Sequence, residues 1–327
     1  MRVAILGSGA VGGFYGALLA RQGHDVAFVA RGAHLEAIRA HGLRVRGAVG
    51  TFAAQGRADS DPAKLGEADL VIVAVKTYDN ATALPLMRPM LGAETSVLTL
   101  QNGVDSVDEV AAVAGRARVL GGSTYVATAI AEPGLIEQTG THRRIVFGEV
   151  FPSTGAEQTA SEPSARVKAI EAAMREADIH AEAVADARPA IWEKFVYLSA
   201  FAGFTGAARL PIGPLRDVPG FFDLALRACG EVAAVARAEG VTLPADLTDR
   251  LRAYIDGLPA STRSSLLIDL QSGKRIEIES LPGAVVRRAA AAGVEAPIMR
   301  TLYSVLQPWA SPRAEERSGA QGPPPRT

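Results

Sequence analysis

A single cysteine, Cys229, among 327 residues leaves this chain no internal disulfide and no thiolate cluster to build on. That scarcity fits a reducing compartment. An excess of charge is missing too: 34 basic and 35 acidic side chains give a formal net charge of −1. Such a balance supplies no general attraction to nucleic acid or to an anionic membrane, so neither is expected as a partner. No uninterrupted apolar stretch is long enough to span a bilayer. Residues 1–2 lead directly into the apolar run 3–6, with no basic leader before a cleavable apolar core, so export is not expected and the cytoplasm is the expected location. The five histidines (His24, His34, His41, His142 and His180) show no metal-binding spacing, and no metal is expected. His34 and His41 read most simply as solvated helix residues. Neither a GxSxG nucleophile elbow nor a GxxxxGK[ST] phosphate loop is present, and there are no internal repeats.

What the chain does have is apolar content, 48% of its residues, and length enough for two domains with separate cores. Its first half alternates short, near-continuously apolar runs with amphipathic ones. Strands are expected at 2–6, 25–30, 69–75, 95–100 and 118–120, and helices at 10–22, 33–41, 80–90 and 106–114. That alternation predicts an N-terminal Rossmann-type α/β domain, a doubly wound sheet whose parallel strands are covered on both faces. A small hairpin is expected at 43–46 and 51–54. A further antiparallel addition is expected at 125–131, 134–138 and 144–147, with turns at Pro133–Gly134 and at Gly140. Residues 151–163 read as a polar loop, 165–176 as a helix and 179–184 as a strand. Beyond Asp186 the texture changes to long alanine- and leucine-rich segments at 189–202, 221–239, 247–256 and 281–292, which predicts an all-α C-terminal domain. The expected organisation is therefore a dinucleotide-binding domain over 1–185, a helical substrate domain over 186–310, and a polar, proline-rich, disordered tail over 311–327.

Gly7-Ser8-Gly9-Ala10-Val11-Gly12 is a GxGxxG that follows the first strand and opens the first helix. Each glycine has its own physical reason: a tight turn at Gly7, close approach of a pyrophosphate at Gly9, and tight helix–strand packing at Gly12. Unpaired N–H groups at the helix start then face the phosphates. The end of the second strand discriminates between nucleotides. An NAD site places a carboxylate there, about 20 residues past the glycines, to bind the ribose 2′-hydroxyl. Here Phe28-Val29-Ala30-Arg31 offers none, and the planar fork of Arg31 can pair with a 2′-phosphate, so NADPH is the expected cofactor.

Other residues sit where chemistry is plausible and a bland reading competes. Lys194, in Ile191-Trp192-Glu193-Lys194-Phe195-Val196-Tyr197-Leu198, would share a helix face with Ala190, Ile191, Tyr197 and Leu198. Partial burial there would lower its pKa toward acid–base use, whereas a snorkelling lysine would do nothing. Residues 275–280 alternate strictly, which suits an exposed strand with Glu277 and Glu279 both solvated. Gln101-Asn102-Gly103 and Lys76 lie just past strand ends, at the edge where open α/β sheets bind ligands, although Asn102-Gly103 also reads as an ordinary turn.

Taken in order, VAILGSGAVGGFYGALLARQGH, VIVAVKTYD, LQNGVDSVDEV, WEKFVYL, TRSSLLIDLQSGKRIEIESLPGAVVRRA and GVEAPIMRTLYSVL resemble the ketopantoate reductases (2-dehydropantoate 2-reductases) from about residue 1 to about residue 308. The resemblance implies reduction of a 2-oxo acid by NADPH, by default ketopantoate to pantoate in pantothenate biosynthesis. It implies that Lys194 is the catalytic lysine of a W-x-K motif, protonating the alkoxide as hydride arrives, and that Glu277 positions lysine and substrate. It assigns the substrate carboxylate to Ser265, places Asn102 between cofactor and substrate, keeps Thr205 near the substrate, and puts Lys76 and Arg31 on the cofactor side. Two family asparagines are replaced by Leu198 and Ala202, which implies a pocket for a less hydroxylated or bulkier acid. A related NADP-dependent hydroxyacid dehydrogenase and a non-catalytic NADP(H) sensor remain the alternatives. The oligomeric state stays open, a homodimer among the choices.

Overall fold

The computed structural model describes residues 1–151 and 161–311. Most of the expected loop at 151–163, and the tail beyond Ser311, lie outside the described residues. The chain divides into two compact units, Met1–Ile191 and Trp192–Thr327.

The first unit runs β1 (Arg2–Leu6), α1 (Ala10–Arg21), β2 (Asp25–Val29), α2 (Gly32–His41), β3 (Leu43–Gly47), β4 (Gly50–Ala54), β5 (Arg57–Asp59), β6 (Ala68–Val73), α3 (Asn80–Ala83), β7 (Leu91–Thr99), α4 (Ser106–Ala114), β8 (Val119–Glu132), β9 (Leu135–Glu149), α5 (Ala165–Glu176) and β10 (His180–Asp186). These strands form one sheet in the order β4-β3-β9-β8-β7-β6-β1-β2-β5, with β10 beside β9. β1 lies between β2 and β6 and is parallel to both. The chain steps from β1 to β2 and then returns to the other side of β1 for β6. At such a reversal the loops diverge and open a crevice at the carboxyl ends of the strands. Both faces are covered. Val3, Ile5, Phe28 and Ile72 pack with Phe14 and Leu18 of α1 on one face, and Ala4, Leu6, Val71, Val73 and Val97 pack with Val110 of α4 on the other. Two buried faces explain why the strands read as unbroken apolar runs.

The second unit is helical: α6 (Arg188–Ala208, which enters it from Trp192), α7 (Ile212–Arg216), α8 (Phe221–Ala238), α9 (Leu247–Gly257), α10 (Ser265–Gln271), α11 (Pro282–Ala292) and α12 (Pro297–Leu306). Among the described residues no helix is long and apolar enough to cross a membrane.

Several elements differ from the sequence reading. The helix expected at 80–90 is α3 followed by a 3₁₀ segment over Leu84–Met90, because Pro85 and Pro89 have no N–H to continue an α-helical ladder. Residues 119–120 and 125–131 belong to a single long strand, β8, and 135–138 and 144–147 to its partner β9. The Pro133–Gly134 turn is present, with Glu132 paired to Leu135. Gly140 is not a turn. The register passes from Val126↔Arg143 to Thr128↔Gln138, so residues 139–142 bulge out of β9 and the same strand resumes. The expected strand at 275–280 does not form. Ile276, Glu277 and Ile278 are all buried in succession, which a strand with one solvent face does not allow, and of the two glutamates only Glu279 reaches solvent. The short helices α7, α10 and α12 add to the expected segments.

Candidate functional site

Of the three glycines in the turn after β1, two are crowded by their neighbours and one is not. Gly7 has φ +98°, and a Cβ there would lie 2.6 Å from the backbone nitrogen of Val75. A Cβ at Gly12 would lie 2.9 Å from both Ala74 Cβ and Ile5 Cγ2, so helix α1 can approach β1 and the end of β6 only without one. Gly9 is unlike either. Its φ of −73° suits any residue, and nothing stands within 4 Å of the position its Cβ would take. Neither its φ nor the packing around it requires glycine at position 9, and the space before it is open. Around it, the N–H of Gly13 is the first to bond within α1, to the carbonyl of Gly9. The preceding N–H groups of the turn therefore have no helical acceptor. No acidic side chain occupies the first turn of α1. Open space, unclaimed donors and a positive helix end together fit a dinucleotide pyrophosphate.

Other expected residues lie along the same edge of the sheet. Arg31, the residue before α2, holds its guanidinium largely in solvent and 3.7 Å from the Asp79 carboxylate. β5 brings a carboxylate that sequence order hides: Asp59 is paired with Val29 at the end of β2. Its oxygens are already engaged, by Arg39 at 2.7 Å and Lys64 at 3.8 Å. Lys76 and Asn102, at the ends of β6 and β7, are both half-buried. Gly103 takes φ +100°, and the chain bends at Asn102-Gly103.

Gln101 braces this edge, a role the sequence did not reveal. Its amide donates to the Val75 carbonyl at 2.8 Å and to Asn80 Oδ1 at 2.6 Å, while Asn80 in turn donates to Glu109 of α4 at 2.5 Å. Lys76 and Asn102 are the chain neighbours of the two residues so joined. The one available signal was a polar residue directly following a buried strand. His34 is the second omission, and the expectation of a solvated side chain is corrected. Both of its ring nitrogens are engaged, with the Ser8 carbonyl at 2.8 Å and the Gly134 N–H at 3.0 Å.

In the second unit, α6 carries Lys194. Part of the residue stays accessible, yet protein surrounds the ammonium closely enough that burial lowers its pKa to about 8, with the carboxylate of Glu277 acting in the opposite direction. Glu277 is 7% exposed and sits in the irregular segment before α11. Glu193, although adjacent to the lysine, turns to Arg250 of α9 at 2.5 Å. Trp192 and Phe195, one turn apart on α6 and both buried, pack edge to face with centroids 5.5 Å apart. Ser265, the first residue of α10, is exposed. Thr205 is fully enclosed: it donates to the Phe201 carbonyl at 2.7 Å and shares a 2.7 Å hydrogen bond with Ser264. Ser264 in turn accepts from the Leu267 N–H and caps α10. Thr205 thus stands behind the wall that presents Ser265, not on its surface. Leu198 is half-buried and Ala202 buried.

Residues 3–151 match the family model described as ketopantoate reductase PanE/ApbA, and residues 186–310 match its C-terminal counterpart. The 2-dehydropantoate 2-reductase of Halobacterium salinarum is 34% identical, over 94% of this chain and 98% of that protein. The crystal structure of a PanE/ApbA family ketopantoate reductase from Ralstonia eutropha superposes with a TM-score of 0.84 at 34% identity, covering 95% of this chain and 98% of that one. A D-mandelate dehydrogenase solved with NADH and anilino(oxo)acetate has the same fold, with a TM-score of 0.84 at 19% identity over 95% of this chain and 98% of its own.

Proposed function

Because the chain belongs to the ketopantoate reductase PanE/ApbA family and is an oxidoreductase, we propose that it reduces a 2-oxo acid to the 2-hydroxy acid with NADPH. Ketopantoate, reduced to pantoate for pantothenate biosynthesis, is the default substrate. The observation that carries this reading is Lys194, an ammonium drawn toward a working pKa by burial and held in electrostatic range of buried Glu277. A sensor that only bound nucleotide would need neither group.

In this reading the residues of 1–185 hold the cofactor and those of 186–310 hold the substrate. The turn from Gly7 to Gly12 receives the pyrophosphate, Arg31 the 2′-phosphate, and Lys76 and Asn102 flank the nicotinamide side. When bound, the reduced nicotinamide supplies a hydride to C2 of the substrate. Lys194 donates a hydrogen bond to the C2 carbonyl oxygen, steadies negative charge as it develops there, and delivers its proton to give the hydroxyl; solvent then reprotonates the amine. Glu277 keeps the lysine charged and oriented. Ser265 receives the substrate carboxylate, and Thr205 supports it through Ser264. Leu198 and Ala202 present apolar surface, which favours a bulkier or less hydroxylated side chain on the acid.

NADPH oxidation against a panel of 2-oxo acids that includes ketopantoate tests the reading. Lys194→Ala is expected to lower turnover by roughly 10²- to 10⁴-fold with little change in NADPH affinity; unchanged turnover removes Lys194 from the mechanism. Arg31→Ala is expected to weaken NADPH far more than NADH, and equal effects undo the cofactor assignment. Tight NADPH binding with no oxidation by any acid in the panel would favour a sensor.

A further inference from the structure

The first turn of α2 holds a side chain with both polar atoms committed. His34 Nε2 lies 2.8 Å from the carbonyl oxygen of Ser8, and Nδ1 lies 3.0 Å from the N–H of Gly134. A backbone N–H can only donate and a carbonyl can only accept. Nδ1 must therefore be bare and Nε2 must carry the hydrogen, which selects a single neutral tautomer. One ring thus ties together the glycine turn after β1, the start of α2, and the turn between β8 and β9.

The bond to Ser8 has a directional consequence. The Ser8–Gly9 peptide is trans, so its carbonyl and the N–H of Gly9 point opposite ways in one plane. Drawing the carbonyl toward α2 sends the Gly9 N–H away from it. Gly9 is also the residue with open space before it. Without a Cβ, a glycine offers little resistance to rotation of the peptide that precedes it. The other anchors of the turn hold Ser8 on its far side: its N–H donates to Val29 at 3.1 Å, and its hydroxyl reaches the Ile5 carbonyl at 3.4 Å. A rotated peptide would present a carbonyl oxygen, not an N–H, to an approaching phosphate.

We propose that His34 is a positioning residue for the cofactor: it fixes the Ser8–Gly9 peptide so that the Gly9 N–H stays aimed at the pyrophosphate of the dinucleotide. This rests on the cofactor reading above. Calorimetric titration of the full chain with NADPH and with adenosine 2′-monophosphate, which has no pyrophosphate, tests it in wild type, His34→Ala, His34→Asn and His34→Gln. The glutamine amide can reach Ser8, whereas the asparagine amide reaches only Gly134. His34→Ala and His34→Asn are expected to weaken NADPH roughly tenfold, with His34→Gln restoring most of the affinity. Adenosine 2′-monophosphate is expected to bind all four alike. Unchanged NADPH affinity in His34→Ala overturns the proposal, and so does an equal loss for both ligands, which would mark general damage to the fold. Should His34→Ala fail to fold, the contrast between His34→Asn and His34→Gln decides, and equal affinities overturn it. A wild-type protein that binds neither NADPH nor NADH overturns the cofactor reading itself, and this proposal with it.

Discussion

Gly7 and Gly9 are two residues apart and obey different constraints, and this difference can be measured. Gly7→Ala forces a side chain onto φ +98° and against the Val75 backbone, so the cofactor-free protein should lose on the order of 1–3 kcal/mol of stability. Gly9→Ala meets open space at an ordinary φ. Its melting temperature should match wild type while NADPH binding collapses. Should Gly9→Ala bind NADPH normally, the space before Gly9 is not the pyrophosphate site. Lys194 and Glu277 allow a second residue-level test. Burial brings Lys194 to about 8 while Glu277 opposes that fall. In the proposed mechanism reduction needs the protonated amine, so kcat/KM for a 2-oxo acid should decline as pH rises through about 8, and the reverse oxidation should gain. Glu277→Gln removes the group that raises the pKa, so the decline should move to lower pH. A pH–rate profile checks both, and a limb that stays in place in Glu277→Gln separates the pair. The glycine motif was legible because its demands are local. The state of Lys194 was not, since a buried acid and a snorkelling lysine share one sequence pattern and differ only in what surrounds them.

Elements place these residues. The ends of β6 and β7 carry Lys76 and Asn102, and Gln101 ties the two ends together through Val75 and Asn80. Gln101→Met keeps the volume and removes both donated hydrogen bonds, leaving buried acceptors unpaired. A loss of roughly 1–3 kcal/mol in stability is expected, together with a raised KM for the cofactor; a stability loss with an unchanged KM would make the brace purely structural. The parallel strands and the long helices could be read from apolar periodicity. The strand expected at 275–280 could not, because an alternating pattern of isoleucine and glutamate says nothing about whether the glutamates find a buried partner. Glu277 does, in the field of Lys194 on α6, whereas Glu279 pairs with Arg287 and Tyr303 at the surface. Gly140 misled for a related reason: a positive φ serves a bulge as well as a turn, and only the pairing of β9 with β8 distinguishes them.

At the scale of the whole molecule, the proposed function gives the two units separate tasks, and thermal unfolding can tell them apart. NADPH at about a hundred times its Kd should stabilise the wild-type protein by about 2.7 kcal/mol through mass action alone. Lys194→Ala should retain that gain, since it alters a residue assigned to the substrate. Gly9→Ala should lose it, and a gain lost in both variants would contradict the division of labour.

By itself the sequence determined the covered parallel sheet, the glycine turn on its first strand, the absence of a carboxylate directly after β2 and the helical character of the second half. Each of these depends on periodicity or on the allowed conformations of adjacent residues. Tertiary structure alone decided that Glu277 is buried and Glu279 is not, that Thr205 lies behind Ser264, that Gln101 joins two strand ends and that His34 reaches Ser8 and Gly134. Those facts depend on which distant side chains close off solvent and supply the missing donor or acceptor. Burial and pairing are properties of the packed chain, and spacing along it does not encode them.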